Sequence, residues 1–360
     1  MRPGRSLAGL GLVAAAVLAL TAAGVGGRVF AVAVAVAVLP LPLYIGVALW
    51  LDRFEPEPRG MLAVAFLWGA SVAVLVSGAV NGVLDAIVGP GWTAMAGAPV
   101  VEEALKAAVL VRFYLARRDE FDGVVDGVIY AAMVGLGFAF AENVDYYSRA
   151  LQHGGTAGLA LIFTLRGMIA SFSHPLFTSL TGLGLGVARQ SASRAVAAIA
   201  PSAGFVGAVA LHALWNAGAS AGLLFFVVYA LVMIPALAVL LGIVAVSLKF
   251  EGRVIQAHLA PEAATGLLTS DEYARLCSVR GRLHASTTAF QRGGLGEWRA
   301  RHAFHRAASE LAFLRRRAAV DGVVPDSSLE RQYLQQIGAV GLADAPAGAN
   351  VSLGDEPPRT

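Results

Sequence analysis

The stretch Ala98-Pro99-Val100-Val101-Glu102-Glu103-Ala104-Leu105-Lys106-Ala107-Ala108-Val109-Leu110 decides what kind of protein this is. It is apolar except at Glu102, Glu103 and Lys106. Glu102 and Lys106 stand four residues apart, Glu103 and Lys106 three, so on a helix both carboxylates reach one ammonium. The apolar character extends outward from Trp92 to Tyr114, about the 20 residues that a bilayer span needs. A charge at the bilayer centre costs about 2.5–3.5 kcal/mol on insertion scales, so charged groups there face a cavity or a partner. The plainer reading is a helix-end salt bridge, which accounts for one acid and the lysine but less well for the second acid.

The rest of the chain supports the membrane reading. Hydrophobic residues make up 57% of the 360 and charged residues only 14%, with a mean hydropathy of +0.67. Soluble domains carry about 25% charged residues. Eight spans are expected: Leu7–Gly26, Val29–Leu51, Met61–Val80, Trp92–Tyr114, Val125–Tyr146, Leu159–Val187, Ala195–Gly218 and Leu223–Leu248. The sixth is long enough to tilt or break, and it contains Pro175. Val83–Val88 is expected to add a short outer or re-entrant piece. The fold class is therefore all-α, a polytopic transmembrane helix bundle over residues 1–248. A helical cytoplasmic region follows over 249–341 and a disordered tail over 342–360.

Loop charges set the orientation. Arg2, Arg5, Arg53, Arg59, Arg112, Arg117, Arg118, Arg189 and Arg194 fall in one alternating set of loops, with only Arg28 and Arg149 in the other. Both termini are thus expected in the cytoplasm, in a multi-pass protein of the cell membrane. Met1–Gly26 also resembles a signal peptide; its removal would leave seven spans in the same orientation. The formal charge of +3 reflects these loops and tails, not a nucleic-acid surface. Cys277 is the only cysteine, which excludes an intramolecular disulfide and a cysteine-based zinc site.

In the cytoplasmic region, Thr269-Ser270-Asp271-Glu272 fits a capping box. Trp298, Phe304, Ala308, Leu311 and Leu314 follow helical spacing among arginines. This reads as a helical hairpin, or as a basic amphipathic helix on the anionic inner leaflet. His258, His284, His302 and His305 are expected to be solvated.

Four further polar stretches interrupt the spans. Phe138-Ala139-Phe140-Ala141-Glu142-Asn143 lies in the fifth, Ser171-Phe172-Ser173-His174-Pro175 and Arg166 in the sixth, and His212-Ala213-Leu214-Trp215-Asn216 in the seventh. Each has a structural reading: an end residue reaching water, a core histidine, or a helix–helix hydrogen bond. Arg166 either pairs with Glu142 or binds a substrate carbonyl. With the orientation above, Glu102, Glu103, Glu142 and His212 fall in the outer half of the membrane and His174 near mid-depth. One site opening outward explains this shared level.

The pattern Glu102-Glu103-x-x-Lys106, Phe138-x-x-x-Glu142-Asn143, His174 and His212-x-x-x-Asn216 resembles the PrsW family of intramembrane peptidases over about Leu43–Leu248. The loop Asp52-Arg53-Phe54-Glu55-Pro56-Glu57-Pro58 is similar to a feature of the same family. The wider group, with CAAX-prenyl endopeptidases and bacteriocin-processing enzymes, has His where this chain has Glu142. The resemblance implies hydrolysis of membrane-associated protein substrates, of which anti-sigma factors are one kind. Two mechanisms fit. In one, His174, His212 and Glu142 hold Zn²⁺, Glu102 deprotonates its water, and Glu103 with Lys106 tunes Glu102. In the other, Glu102 activates water directly and His212 with Asn216 stabilises the oxyanion. The alternatives are a proton-coupled transporter and a non-catalytic membrane scaffold. Convergence of Glu102, His174 and His212 on one small site favours a peptidase; a through-path favours the carrier.

Overall fold

A computed structural model describes residues 3–344, which fold into helices joined by short turns. The chain divides at Ser247–Leu248 into two compact units. The first opens with α1 (Pro3–Val25), α2 (Gly27–Val38) and α3 (Leu41–Leu51). Next come α4 (Arg59–Trp68), the π-helical turn Gly69–Ala73 and α5 (Val74–Val88), then α6 (Pro90–Trp92), the π turn Thr93–Gly97 and α7 (Ala98–Ala116). The core is built from α8 (Val124–Ile162), the π turn Phe163–Ile169, α9 (Ser173–Gln190) and α10 (Arg194–Ser220). The unit closes on α11 (Leu224–Val228), the π turn Tyr229–Met233 and the start of α12 (Ile234–His258).

Six helical stretches among the described residues are long and apolar enough to cross a membrane: Leu7–Val25, Gly27–Leu51, Arg59–Val88, Val124–Gln190, Arg194–Ser220 and Leu224–His258. The difference from eight has two sources. Val124–Gln190 is 67 residues of nearly continuous helix and contains both the expected fifth and sixth spans. The expected fourth span, now the helix around α7, is too charged to qualify, because it carries Glu102, Glu103, Lys106 and Arg112. Val83–Val88 is not a separate piece; it is the last part of α5. Large apolar side chains such as Leu43, Ile87, Met168, Val206 and Leu231 are exposed on this unit. That pattern suits hydrocarbon rather than water as the surrounding solvent. The protein is a multi-pass, all-α membrane protein.

Two interruptions in the long stretch position the later site. The chain reverses at Gly154–Gly155: Tyr147 packs on Phe163 with ring centroids 6.0 Å apart, and Asn143 bonds Arg166 across the same point. Gly155 has φ +60 and ψ −154, a conformation open to glycine and costly for other residues. The second interruption is the expected break in the sixth span. It falls at Ala170–Phe172, and Pro175 sits in the first turn of α9, where its missing N–H leaves no helical bond unmade. Small residues then let α9 approach α8 closely, Gly127 facing Gly182 and Gly135 facing the His174 carbonyl.

The Asp52–Pro58 loop is pinned rather than free. Phe54 is buried, the Glu57 N–H donates to Asp52 Oδ2 at 2.9 Å, and the Tyr130 hydroxyl donates to Glu57.

The second unit contains α13 (Ala260–Ala264), α14 (Ser270–Leu276), α15 (Val279–Asp321) and α16 (Ser327–Asp344). The expected capping box opens α14: Thr269 accepts from the Glu272 N–H, and Glu272 accepts from the Thr269 N–H. Within α15 the chain turns back at Gly293–Gly294, so that Arg282 Nη2 donates to Ser309 Oγ at 2.9 Å. Phe304, Ala308 and Leu311 are buried in this hairpin, whereas Trp298 is exposed. One expectation is corrected here. His305 is buried, not solvated, because it shares the inward stripe with Phe304 and Ala308. Burial, with Arg282 and Arg301 nearby, lowers its pKa from 6.5 to about 2. Most of the stretch from Leu342 onward lies outside the described residues.

Candidate active site

Helical spacing places Glu102, Glu103 and Lys106 on one face of α7, and all three are buried. Lys106 Nζ lies 2.8 Å from Glu103 Oε1 and 3.8 Å from Glu102 Oε2. The same nitrogen stands 3.0 Å from His174 Nδ1 and 3.8 Å from the centroid of the Phe138 ring. Lys106 is therefore the hub: an ammonium with no access to water, surrounded by acceptors and an aromatic face.

Glu103 is fully buried and saturated with donors. Oε1 accepts from Lys106 and meets His212 Nδ1 at 3.1 Å, while Oε2 accepts from Thr178 Oγ1 at 3.0 Å. A carboxylate on Nδ1 selects the tautomer with its proton there and leaves Nε2 as the open lone pair. That Nε2 faces Glu102 Oε2 at 3.8 Å. Phe177 stacks on the His212 ring at 4.7 Å and fixes its plane.

His174 enters from the first turn of α9. Its Nε2 lies 2.8 Å from Glu142 Oε2, which places α8 and α9 on either side of one contact. Arg166, on the Phe163–Ile169 turn, donates from Nη2 to the same Glu142 oxygen at 2.6 Å and from Nε to Asn143 Oδ1 at 2.8 Å. Of the two roles open to Arg166 in the sequence, pairing with Glu142 is realised.

Glu102 is the least satisfied member. Its Oε1 receives a long bond of 3.4 Å from Asn81 Nδ2, and its buried Oε2 has no hydrogen-bond partner. A buried carboxylate oxygen without a donor is expensive. Moreover, three carboxylates here meet only two basic side chains, Lys106 and Arg166. A proton or a metal ion at Glu102 relieves both deficits.

The donor set fits a metal. One ligand atom each from Glu102, His174 and His212 lie within 4.8 Å of one another. Two imidazoles and a carboxylate are a known catalytic zinc set, and Glu103 on His212 Nδ1 is the outer carboxylate such histidines usually have. The trio differs from the set expected earlier. It has Glu102 where Glu142 was expected; Glu142 Oε2 is bonded by Arg166 and His174 instead.

Asn216 does not join this group. It shares a helical face with His212, but its Nδ2 donates to the Ala94 carbonyl at 2.9 Å, tying α10 to the Thr93–Gly97 turn. Conversely, Asn81 and Thr178 contact the two central glutamates and were not singled out in the sequence. Each is an ordinary polar residue on an apolar helix, and only packing shows what it faces.

The family described as PrsW family intramembrane metalloprotease matches residues 57–240 of this chain. The Protease PrsW of Geobacillus kaustophilus (strain HTA426) is 33% identical over 141 residues, 38% of this chain and 58% of that protein. The Protease PrsW of Bacillus subtilis (strain 168) is 31% identical over 147 residues, 40% of this chain and 63% of that protein. The chain thus spans less than two thirds of the length of either relative. No solved structure matches it. With the matched region covering α4 to the start of α12, and with it every residue of the buried cluster, the chain belongs to the PrsW family of intramembrane metalloproteases.

Proposed function

We propose that this protein is an intramembrane endopeptidase that hydrolyses peptide bonds of membrane-associated proteins. The observation that carries the reading is convergence. Glu102, His174 and His212 come from three helices and bring donor atoms within 4.8 Å of one another. A carrier would need its acids and histidines spread along a path. A scaffold would have no use for a buried carboxylate oxygen left without a donor.

Glu102 is the carboxylate that the reacting water meets. Asn81 holds Oε1, and Oε2 is free to take the proton of the water as it attacks. Glu103, with Lys106, Thr178 and His212 on it, is not available for that task; it fixes His212 and Lys106 in place. Lys106 and Arg166 offset the charge of the acids, and Glu142 orients His174.

In a zinc-bound version, His174, His212 and Glu102 would hold Zn²⁺, and Glu102 would serve as a ligand in place of its role as the direct base. The ion, when bound, supplies a Lewis acid and a more acidic water. A metal-free version is favoured by one observation. His174 is already engaged on both nitrogens, by Lys106 and Glu142, and its entry into a coordination sphere exchanges its bond to Glu142. Treatment with a tight chelator followed by zinc add-back separates the two: the zinc version expects loss and recovery of activity, and activity indifferent to the chelator sinks it.

The loop charges support a cell-membrane location with both termini in the cytoplasm and a site opening outward. Single-pass regulators of the anti-sigma type fit as substrates. The test is Glu102→Gln, scored by quantitative proteomics of co-expressed membrane proteins. Cleavage should vanish while the variant accumulates normally. Persistent cleavage by Glu102→Gln removes the reading.

A further inference from the structure

Exposure is uneven across the buried cluster. The side chains of Glu103 and Lys106 are 0% accessible, His212 3%, His174 7% and Glu102 10%. Glu142 and Arg166 reach 24% each. Arg166 and Glu142 are thus the most accessible members of the cluster.

The guanidinium is held from one edge only. Nε donates to Asn143 Oδ1 and Nη2 to Glu142 Oε2, which together fill its side-on edge. Its plane lies over Tyr146, with the guanidinium carbon 3.8 Å from the ring centroid. The end-on edge, Nη1 and the second N–H of Nη2, has no hydrogen-bond partner among the described residues. Partial burial leaves these unused donors within reach of whatever enters the site. Here two are used for aim and the outer edge is kept, one carboxylate oxygen away from His174 Nε2.

We propose that Arg166 is a catalytic residue that donates from its end-on edge to the carbonyl oxygen of the scissile peptide as that oxygen becomes an oxyanion. The proposal rests on the peptidase reading. As the water oxygen bonds to the carbonyl carbon, the C=O π pair moves to oxygen, where Arg166 stabilises it, and Glu102 takes the water proton. The pair then returns, the C–N bond breaks, and the departing nitrogen receives that proton. Arg166 thereby fills the role for which Asn216, committed to the Ala94 carbonyl, is not placed. Its charge makes it a stronger donor than an amide.

The experiment uses the full chain in detergent micelles with fluorescein-labelled β-casein as probe. The first comparison is wild type against Glu102→Gln. If both are equally inactive or equally active, the peptidase reading falls and this proposal with it. If only wild type cleaves, Arg166→Lys tests the arginine alone, since lysine can pair with Glu142 but loses the planar second edge. The expected result is a kcat about 100-fold lower, the scale of one oxyanion donor, with KM within about threefold and metal content by elemental analysis unchanged. In a Glu142→Gln background the same substitution should still lower kcat at least about tenfold. The proposal is overturned if Arg166→Lys stays within about threefold of wild type, if the loss lies in KM, or if it disappears once Glu142 is neutral. Should Arg166→Lys fail to fold, Asn143→Ala takes its place, because it releases Nε and leaves the ion pair intact. A tenfold fall in kcat is expected there, and no fall overturns the proposal.

Discussion

Replacing Gly135 with alanine asks how closely α8 and α9 must approach for the site to exist. A Cβ at Gly135 would stand 2.6 Å from the His174 carbonyl oxygen and 2.6 Å from the Pro175 nitrogen. Ordinary contact begins at 3.4 Å, so the helices must part locally by roughly 0.8 Å. Both obstacles are backbone atoms, which cannot rotate away. Overpacking of this kind costs about 1–3 kcal/mol, too little to unfold a protein with about 5–15 kcal/mol in reserve. The displacement acts where function is concentrated. Gly135 lies two helical turns before Glu142 on α8, and its obstacle is His174 itself, so the parting falls on the 2.8 Å contact between Glu142 and His174. A misplacement near 1 Å costs on the order of 100-fold in rate. Gly135→Ala should therefore fold, unfold at a modestly lower temperature by scanning fluorimetry in detergent, and lose about 100-fold in cleavage. Gly46→Ala is the control, since nothing stands within 4 Å of its Cβ; it should keep full activity and gain up to about 1 kcal/mol. If Gly135→Ala cleaves within threefold of wild type, the close approach does not set the geometry of His174.

Lys106→Met removes the cation that Glu103, Glu102 and His174 share. It should cost about 3–5 kcal/mol, as breaking a buried pair does, and the companion change Glu103→Gln should restore part of the unfolding temperature; a Lys106→Met protein as stable as wild type would show that the ammonium is not needed. Asn81→Ala frees Glu102 Oε1 and, at about 1.5–3 kcal/mol for a bond to a charged group, should lower kcat by roughly 10- to 100-fold with unchanged folding; equal kcat would remove Asn81 from the site. The second unit should be acid-sensitive through His305. Its pKa falls from 6.5 in an exposed state to about 2 on burial, so the unfolded chain binds more protons below 6.5 and stability declines as pH falls through that value toward 2. At pH 5 the loss is about 2 kcal/mol, measurable as faster hydrogen exchange across α15 in the full chain, and His305→Leu should remove most of the dependence, His258 contributing the remainder.

The local parts of the site are legible because helical spacing is local. Three and four residues between acid and lysine put Glu102, Glu103 and Lys106 on one face whatever surrounds α7. Likewise, an apolar segment with Pro175 in it predicts an interruption, and α9 begins beside His174. The capping box at Thr269 is read the same way. Spacing fails where a second helix chooses the partner. His212 and Asn216 share a face, yet one meets Glu103 and the other the Ala94 carbonyl, because α10 crosses two neighbours along its length. His305 looks like any histidine among arginines until the hairpin buries its side of α15.

The sequence by itself determined a membrane-embedded helical protein with acids, histidines and an arginine in its spans, since composition and period leave no other way to solvate the chain. It also determined which charged residues sit together on α7. Only the tertiary structure decided that Glu142 belongs to Arg166 and His174 rather than to solvent, and that Glu102 is the carboxylate left with a free oxygen. The reversal at Gly154–Gly155 and the glycine contacts between α8 and α9 set those pairings. Such contacts join residues tens of positions apart, and the distances between them are fixed by packing, which no periodicity along the chain encodes.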